Sequence, residues 1–253
     1  MDRKTVFITG AANGIGRATA NKFAQRGWFI GAYDLDESGL KSLCEELGSE
    51  NCIYKVMDVT SEESVDEAMT QFSEKTGGKM DVLVSNAGII VQEPFENSSP
   101  RAYKKLIDVN AFGMVNVIFK SLPLLKKSEG ARIVITSSSS AMFGIPNFAV
   151  YGATKAFLKN LTEALSTELA KYKIEVSSIM PLFVKTQMME KIEKKYSAEL
   201  SPYDVADKIF YASTEGKKRH YLIGKNLRMM RFLNRVLPTK TYQKVLKKFL
   251  KVE

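Results

Sequence analysis

The chain has 253 residues, 45% of them hydrophobic, enough to bury a full core in what is most simply one domain. No stretch approaches about 18 consecutive apolar residues, and a strand pattern already begins at residue 4 with no room for a signal peptide, so a cytoplasmic protein is expected. Residues 226–253 hold eight Lys/Arg against one Glu, so this tail carries most of the formal charge of +9, and the near-neutral body argues against a nucleic-acid groove.

In chain order, the β-rich run 4–9 is followed at once by Gly10, Asn13, Gly14, Ile15 and Gly16, which open a helix pattern over 17–26. Glycines at a strand-to-helix turn let the backbone approach a pyrophosphate, whose charge the helix N-terminus then meets. The strand pattern 28–33 ends at Asp34. A carboxylate there binds a ribose diol and repels a 2′-phosphate, and neither Leu35 nor Asn13 offers a compensating cation, so NAD(H) is favoured over NADP(H).

Helix and strand patterns then alternate over 37–47, 52–57, 61–75 and 82–85. Cys44 and Cys52 show no CxxC pairing and read as reduced packing residues. Asp58-Val59 and Asn86-Ala87-Gly88 are polar or small residues at strand carboxyl ends, the ligand edge of open α/β sheets. With no repeat or low-complexity linker interrupting the series, the expected architecture is α/β: a Rossmann-like, doubly wound parallel sheet. A long helix pattern over 101–119 contains Asn110, an awkward interior residue that either kinks the helix or reaches the site.

The run 132–136 reads as a buried strand, and 151–172 as a long helix. Between them stands a serine-rich stretch, with Tyr151 and Lys155 sharing one helix face at i and i+4. An ammonium beside a phenol is expected to lower the phenol pKa toward that of a working general acid/base. The spacing alone is weak, since 10 Tyr and 28 Lys yield about one such pair by chance, and Tyr221/Lys225 is a second. Only Tyr151/Lys155 starts a helix after a buried strand. Further along, 174–180 reads as a strand, 187–200 as a flap over the ligand edge, 201–213 as a helix and 221–223 as a last strand. His220, the only histidine, is expected to be exposed; its isolation excludes histidine triads and multi-histidine metal sites.

These residues together resemble the single-domain branch of the short-chain dehydrogenase/reductases over about 4–225. The glycine motif runs from Thr9 to Gly16, the acidic strand end is Asp34, Asp-Val is Asp58-Val59, and N-A-G spans Asn86 to Gly88. The helix asparagine is Asn110, the serine Ser138 and the Tyr-x-x-x-Lys pair Tyr151/Lys155. The resemblance implies hydride transfer between NAD and an alcohol/ketone substrate. Tyr151 would be general acid/base, Lys155 would hold the nicotinamide ribose, Ser138 would bind the substrate oxygen and Asn110 would support a water chain. Val184 and Thr186 fall on the cofactor side, Thr186 placed for the carboxamide. The alternative class is a catalytically silent dinucleotide-binding sensor or scaffold; no metal is implied. Three features depart from the family: Ser85 replaces a frequent asparagine, Leu182 follows Pro181 where glycine is usual, and a basic tail replaces the usual ending. A homodimer through the 101–119 and 151–172 helices is expected.

Phe143, Ile145, Phe148, Phe183, Met188 and Met189 border the ligand edge and suit an apolar substrate of steroid, retinoid or lipid type, though they could equally be core. Within the tail, Leu227, Met230, Leu233 and Leu237, then Tyr242, Val245, Leu246, Phe249 and Leu250, recur at helical spacing opposite basic residues. This divides the chain into 1–225 and an amphipathic helical extension, 226–253. The extension either packs on the protein or makes a peripheral contact with the inner face of an anionic membrane.

Overall fold

The computed structural model describes residues 3–190 and 200–250. Seven parallel strands form one sheet in the order β3-β2-β1-β4-β5-β6-β7. They are β1 (Thr5–Thr9), β2 (Phe29–Asp34), β3 (Cys52–Val56), β4 (Val82–Ser85), β5 (Arg132–Thr136), β6 (Glu175–Pro181) and β7 (His220–Ile223). The order reverses between β1 and β4, which opens a crevice at their carboxyl ends.

Nearly continuous apolar strand sequences follow from burial on both faces. Side chains alternate across the sheet, so Phe7, Leu83, Ile133 and Ile135 enter one core while Val6, Ile8, Val82, Val84 and Val134 enter the other. On the second side lie α1 (Gly14–Ala24) and α2 (Glu37–Leu47), and on the first α3 (Glu62–Thr76). Ser61 caps α3, its hydroxyl accepting from the Ser64 amide at 3.2 Å, while Gly77 closes the helix in a left-handed conformation.

The expected single helix over 101–119 is broken. It consists of α4 (Pro100–Ile107), a π-helical turn over Asp108–Phe112, and α5 (Gly113–Leu125). Its apolar pattern continues through the break, so periodicity alone did not reveal it. The long helix after β5 is α6 (Ala149–Glu168), and α7 (Gln187–Glu190) starts the expected flap, whose residues 191–199 lie outside the described residues. Next, α8 (Pro202–Thr214) packs on α1, with the Phe23 and Phe210 rings 5.0 Å apart. The tail forms α9 (Leu227–Val236) and α10 (Thr239–Leu250).

Two expectations are corrected. Cys44 and Cys52 are disulfide-bonded, because the last turn of α2 and the first residue of β3 bring their Cα atoms to 5.3 Å. His220 is also not exposed: its ring lies between α6 and β6, with Nδ1 2.8 Å from Ser178 Oγ and Nε2 2.9 Å from Glu163 Oε1. A basic run predicts exposure, but His220 is the first residue of β7, and strand alternation turns it inward. Among the described residues no helix is long and apolar enough to cross a membrane.

Candidate active site

The candidate residues of the sequence converge on the carboxyl edge of the sheet. Gly10 turns the chain out of β1 at φ +69°, and a side chain on Gly16 would run into the Gly10 carbonyl oxygen, so α1 can start against β1 only with glycine there. Asn86 locks this turn from β4: its amide donates to Thr9 Oγ1 at 2.9 Å and its Nδ2 to the Thr9 and Gly10 carbonyls at 3.2 Å. The Ala87 amide shares the Thr9 hydroxyl at 2.9 Å. Thr9 is thus a structural member of the site that sequence reasoning used only as a motif letter.

At the end of β2, Asp34 accepts through Oδ2 from the Ala12 amide at 3.0 Å and through Oδ1 from the Leu35 amide at 2.7 Å. Asn13, one residue along the glycine turn, donates to Asp36 at 2.8 Å. Arg17 spends its guanidinium on the Gly39 carbonyl and Glu46 of α2. Asp58 closes its own turn by accepting from the Thr60 amide and hydroxyl, and the Val59 carbonyl accepts from Asn116 at 3.0 Å. From the far side Thr186 comes over the turn, its Cγ2 3.2 Å from where a Cβ on Gly14 would stand, while Val184 is buried beneath.

Asn110 does both things left open by the sequence. It sits in the π turn, fully buried, and its carboxamide clamps Ile89: Oδ1 accepts from the amide at 2.8 Å and Nδ2 donates to the carbonyl at 2.9 Å. Nδ2 also lies 3.3 Å from Thr154 Oγ1, on the turn of α6 between Tyr151 and Lys155. A Cβ on Gly88 would stand 3.2 Å from Asn110 Oδ1 and 3.6 Å from Lys155 Nζ, so all three meet at one point.

The Ser138 side chain faces the Tyr151 phenol and favours its charged form, and Lys155 Nζ donates to the Thr136 carbonyl at 3.0 Å, 5.6 Å from the Tyr151 ring centre. Ser138 also accepts from the Ser140 amide at 3.2 Å, which orients its hydroxyl. The rival Tyr221 is a buried residue of β7 whose hydroxyl accepts from the Lys218 amide. The expected lowering of the Tyr151 pKa by Lys155 is not found. Burial pushes Tyr151 up to about 12, opposed only by the Ser138 hydrogen bond, and drives Lys155 down to about 8. Desolvation disfavours both charged forms and outweighs an ammonium at this distance. Thr136 and Ile89 hold these groups through backbone atoms and left no side-chain signal in the sequence, whereas the hydroxyls of Ser137 and Thr154 donate to the Lys155 carbonyl at 2.9 Å and the Tyr151 carbonyl at 2.7 Å.

Glycine turn, acidic strand end, and half-buried Ser138 and Tyr151 beside the buried Lys155 on one edge of a doubly wound sheet define a dinucleotide-dependent oxidoreductase. The chain belongs to the short-chain dehydrogenase/reductase family: the family model for short chain dehydrogenase matches residues 4–197. An uncharacterised oxidoreductase of Staphylococcus epidermidis is 31% identical over 85% of this chain and 93% of its own. The 3-oxoacyl-[acyl-carrier-protein] reductase FabG of Thermotoga maritima is 34% identical over 77% of this chain and 80% of its own. Among solved structures, 3-ketoacyl-(acyl-carrier-protein) reductase from Brucella melitensis, complexed with NADH, superimposes with a TM-score of 0.81 at 28% identity, covering 87% of this chain and 95% of that one. Like its family, the protein uses a nicotinamide dinucleotide.

The buried lysine has a measurable signature. Lys155 lies at about 8 against an ordinary 10.5, so between these values the unfolded chain binds the extra proton and stability rises with pH; below that window the full penalty is present. Urea midpoints of the wild type, taken relative to Lys155→Met, are expected to climb between pH about 8 and about 10. Parallel curves would show that Lys155 is not desolvated.

Proposed function

We propose that the protein interconverts an apolar ketone and its alcohol with NAD(H). The Tyr151 hydroxyl gives the proton to the carbonyl oxygen in reduction and takes it back in oxidation, and Ser138 holds that oxygen. A bound nicotinamide supplies or accepts the hydride. Lys155 and Thr186 are the groups for its ribose and carboxamide, Gly10 to Gly16 with the α1 N-terminus for the pyrophosphate, and Asp34, Asp58 and Val59 for the adenosine side. Asn86, Ala87 and Gly88 form the floor between these halves. The observation that carries this reading is the placement of the Ser138 hydroxyl against Tyr151 with Lys155 buried beside it, two donors where alkoxide-like charge would develop.

Three further observations support the finer choices. The Asp34 carboxylate is held against the glycine turn by backbone amides, while the guanidinium of Arg17 is engaged by Glu46, which favours NADH. Phe143, Ile145 and Phe148 pack in one cluster with Tyr151, Phe183 and Met189, in line with an apolar substrate; Met188 is more exposed. Relatives named for reducing 3-oxoacyl groups also act on carbonyls that carry an acyl chain. Tyr151→Phe is expected to keep NADH binding while turnover falls about 100-fold or more, and wild-type kcat/KM is expected to favour NADH over NADPH. Unchanged turnover in the variant sinks the mechanism, preference for NADPH sinks the Asp34 assignment, and inertness toward all alcohols and ketones favours the silent sensor.

Phe112, Phe119 and Phe157 are exposed on the π turn, α5 and α6, a set of aromatic rings that supports a homodimer through these helices. Phe119→Arg is expected to convert a dimer to monomer in sedimentation; a wild-type monomer overturns this assembly.

The outer face of α9 supports peripheral contact with an anionic membrane. At about 100° per residue, Met229, Phe232 and Val236 fall within an arc of about 60°, beside Arg228 and Arg235. All three apolar side chains are more than half exposed, at 51%, 62% and 55%. The exposed lysines Lys240, Lys244, Lys247 and Lys248 continue the charge on α10, and no Asp or Glu occurs between Glu215 and Glu253. Each cation near such a surface contributes about 1 kcal/mol. Salt-sensitive co-sedimentation with phosphatidylglycerol-containing vesicles, but not with phosphatidylcholine alone, is expected, and is weakened about 10-fold or more by Phe232→Ser. Absence of sedimentation at low salt removes the membrane from the reading.

A further inference from the structure

The inner faces of α9 and α10 close over the same loop that borders the catalytic tyrosine. Leu227, Met230, Tyr242 and Leu246 are buried in one cluster with Phe143, Ile145 and Phe148, and Tyr151, Leu182 and Met189 pack against it. The Phe148 ring meets the Tyr151 ring edge to face at 6.1 Å. Asn234 of α9 donates to the Met142 carbonyl at 3.3 Å, a second tie between hairpin and loop. The hairpin therefore packs in the same apolar cluster that Tyr151 borders.

One polar atom of the hairpin has no hydrogen-bond partner among the described residues. Tyr242 is 5% exposed, yet its hydroxyl oxygen is buried without a hydrogen bond in the structure. Burial also raises its pKa, so it stays a neutral hydroxyl able both to donate and to accept. A buried phenol oxygen left unsatisfied costs free energy that phenylalanine at the same place would not incur. The apolar cluster it belongs to is built of Leu, Met, Ile, Val and Phe side chains, with Tyr151 at its edge.

We propose that the Tyr242 hydroxyl is a specificity-determining group of the substrate site, binding a second oxygen on a largely apolar substrate whose first oxygen is held by Ser138 and Tyr151. This inference rests on the proposed ketone/alcohol chemistry. The substrate class it selects is a ketone with an additional carbonyl or hydroxyl oxygen on an apolar frame, anchored at both ends. A site built to hydrogen-bond a substrate oxygen discriminates strongly against the analogue lacking it, because its own group is then left unpaired. An apolar wall without the hydroxyl could discriminate only by shape.

The test compares wild type with Tyr242→Phe on long-chain ketones without a second oxygen and on analogues carrying one at increasing distance from the reacting carbonyl. The wild type is expected to favour one of the dioxygenated members by about 10-fold or more in kcat/KM, and Tyr242→Phe to erase that preference while leaving the plain ketones unchanged. Thermal unfolding of the variant, expected at the same or higher temperature, confirms that the hairpin still packs. Equal effects on both substrate sets, or none on either, overturn the assignment and make Tyr242 a packing residue only. Wild-type inertness toward the whole series, with NADH still bound, overturns the ketone chemistry itself and this inference with it.

Discussion

The carboxamide of Asn110 is the contact on which the site geometry depends. It satisfies both backbone atoms of Ile89, just past the N-A-G stretch, and reaches Thr154 on α6. Three elements that come from distant parts of the chain are thereby fixed relative to one another around a fully buried side chain. Leaving the Ile89 N–H and C=O without partners there would cost about 1–3 kcal/mol for each group, far more than a neutral hydrogen bond contributes on average. The π turn belongs to the same arrangement: one extra residue per turn rotates Asn110 out of the α4–α5 register and toward Gly88 and Lys155.

The clamp holds charged chemistry in a place that resists charge. Lys155 is anchored through Nζ to Thr136 and through its own carbonyl to Ser137, so its position does not depend on an ion pair. Tyr151 has Ser138 as its only resolved charge-stabilising neighbour. The protein thus preorganises donors: burial keeps the Tyr151 phenol protonated and loosens the hold of Lys155 on its proton, though at about 8 the ammonium is still in place at neutral pH. Hydrogen bonds to the backbone make the arrangement insensitive to which residues surround it.

Much of this was legible because it is written in side-chain type. The β-branched runs gave β4 and β5 their bounds, alternation with helices gave the doubly wound sheet, and Gly16, Asp34, Asn110, Ser138 and Tyr151/Lys155 all lie on one edge. The rest depended on information that pattern does not carry. The break at Asp108–Phe112 was hidden by an apolar pattern that runs through it, and Pro123 inside α5 gave no stop. His220 looked solvated among Lys217, Lys218 and Arg219 until strand alternation put its ring against Ser178 and Glu163. Cys44 and Cys52 met because α2 and β3 are joined by a short turn, a tertiary fact. The sign of the Tyr151 shift was misjudged because proximity was weighed without desolvation.

Two of the departures from the resembled family, Leu182 and the tail, meet in one structural arrangement. Leu182, where glycine is usual in the resembled family, donates its amide to the Ile223 carbonyl at 2.9 Å and packs in the cluster that holds Leu227 and Phe143. Its Cβ would stand 2.9 Å from a Cβ on Gly224, and Leu227 Cδ1 3.3 Å from the same point, so the chain can leave β7 toward α9 only with glycine at 224, at φ +137°. A glycine at 182 would leave a void under Leu227, and a side chain at 224 would drive α9 away. Large Leu182 and small Gly224 are thus matched where the hairpin settles over the loop. The basic tail is therefore coupled to the wall of the site through Leu182, and a change in either segment reaches Tyr151 through Phe148.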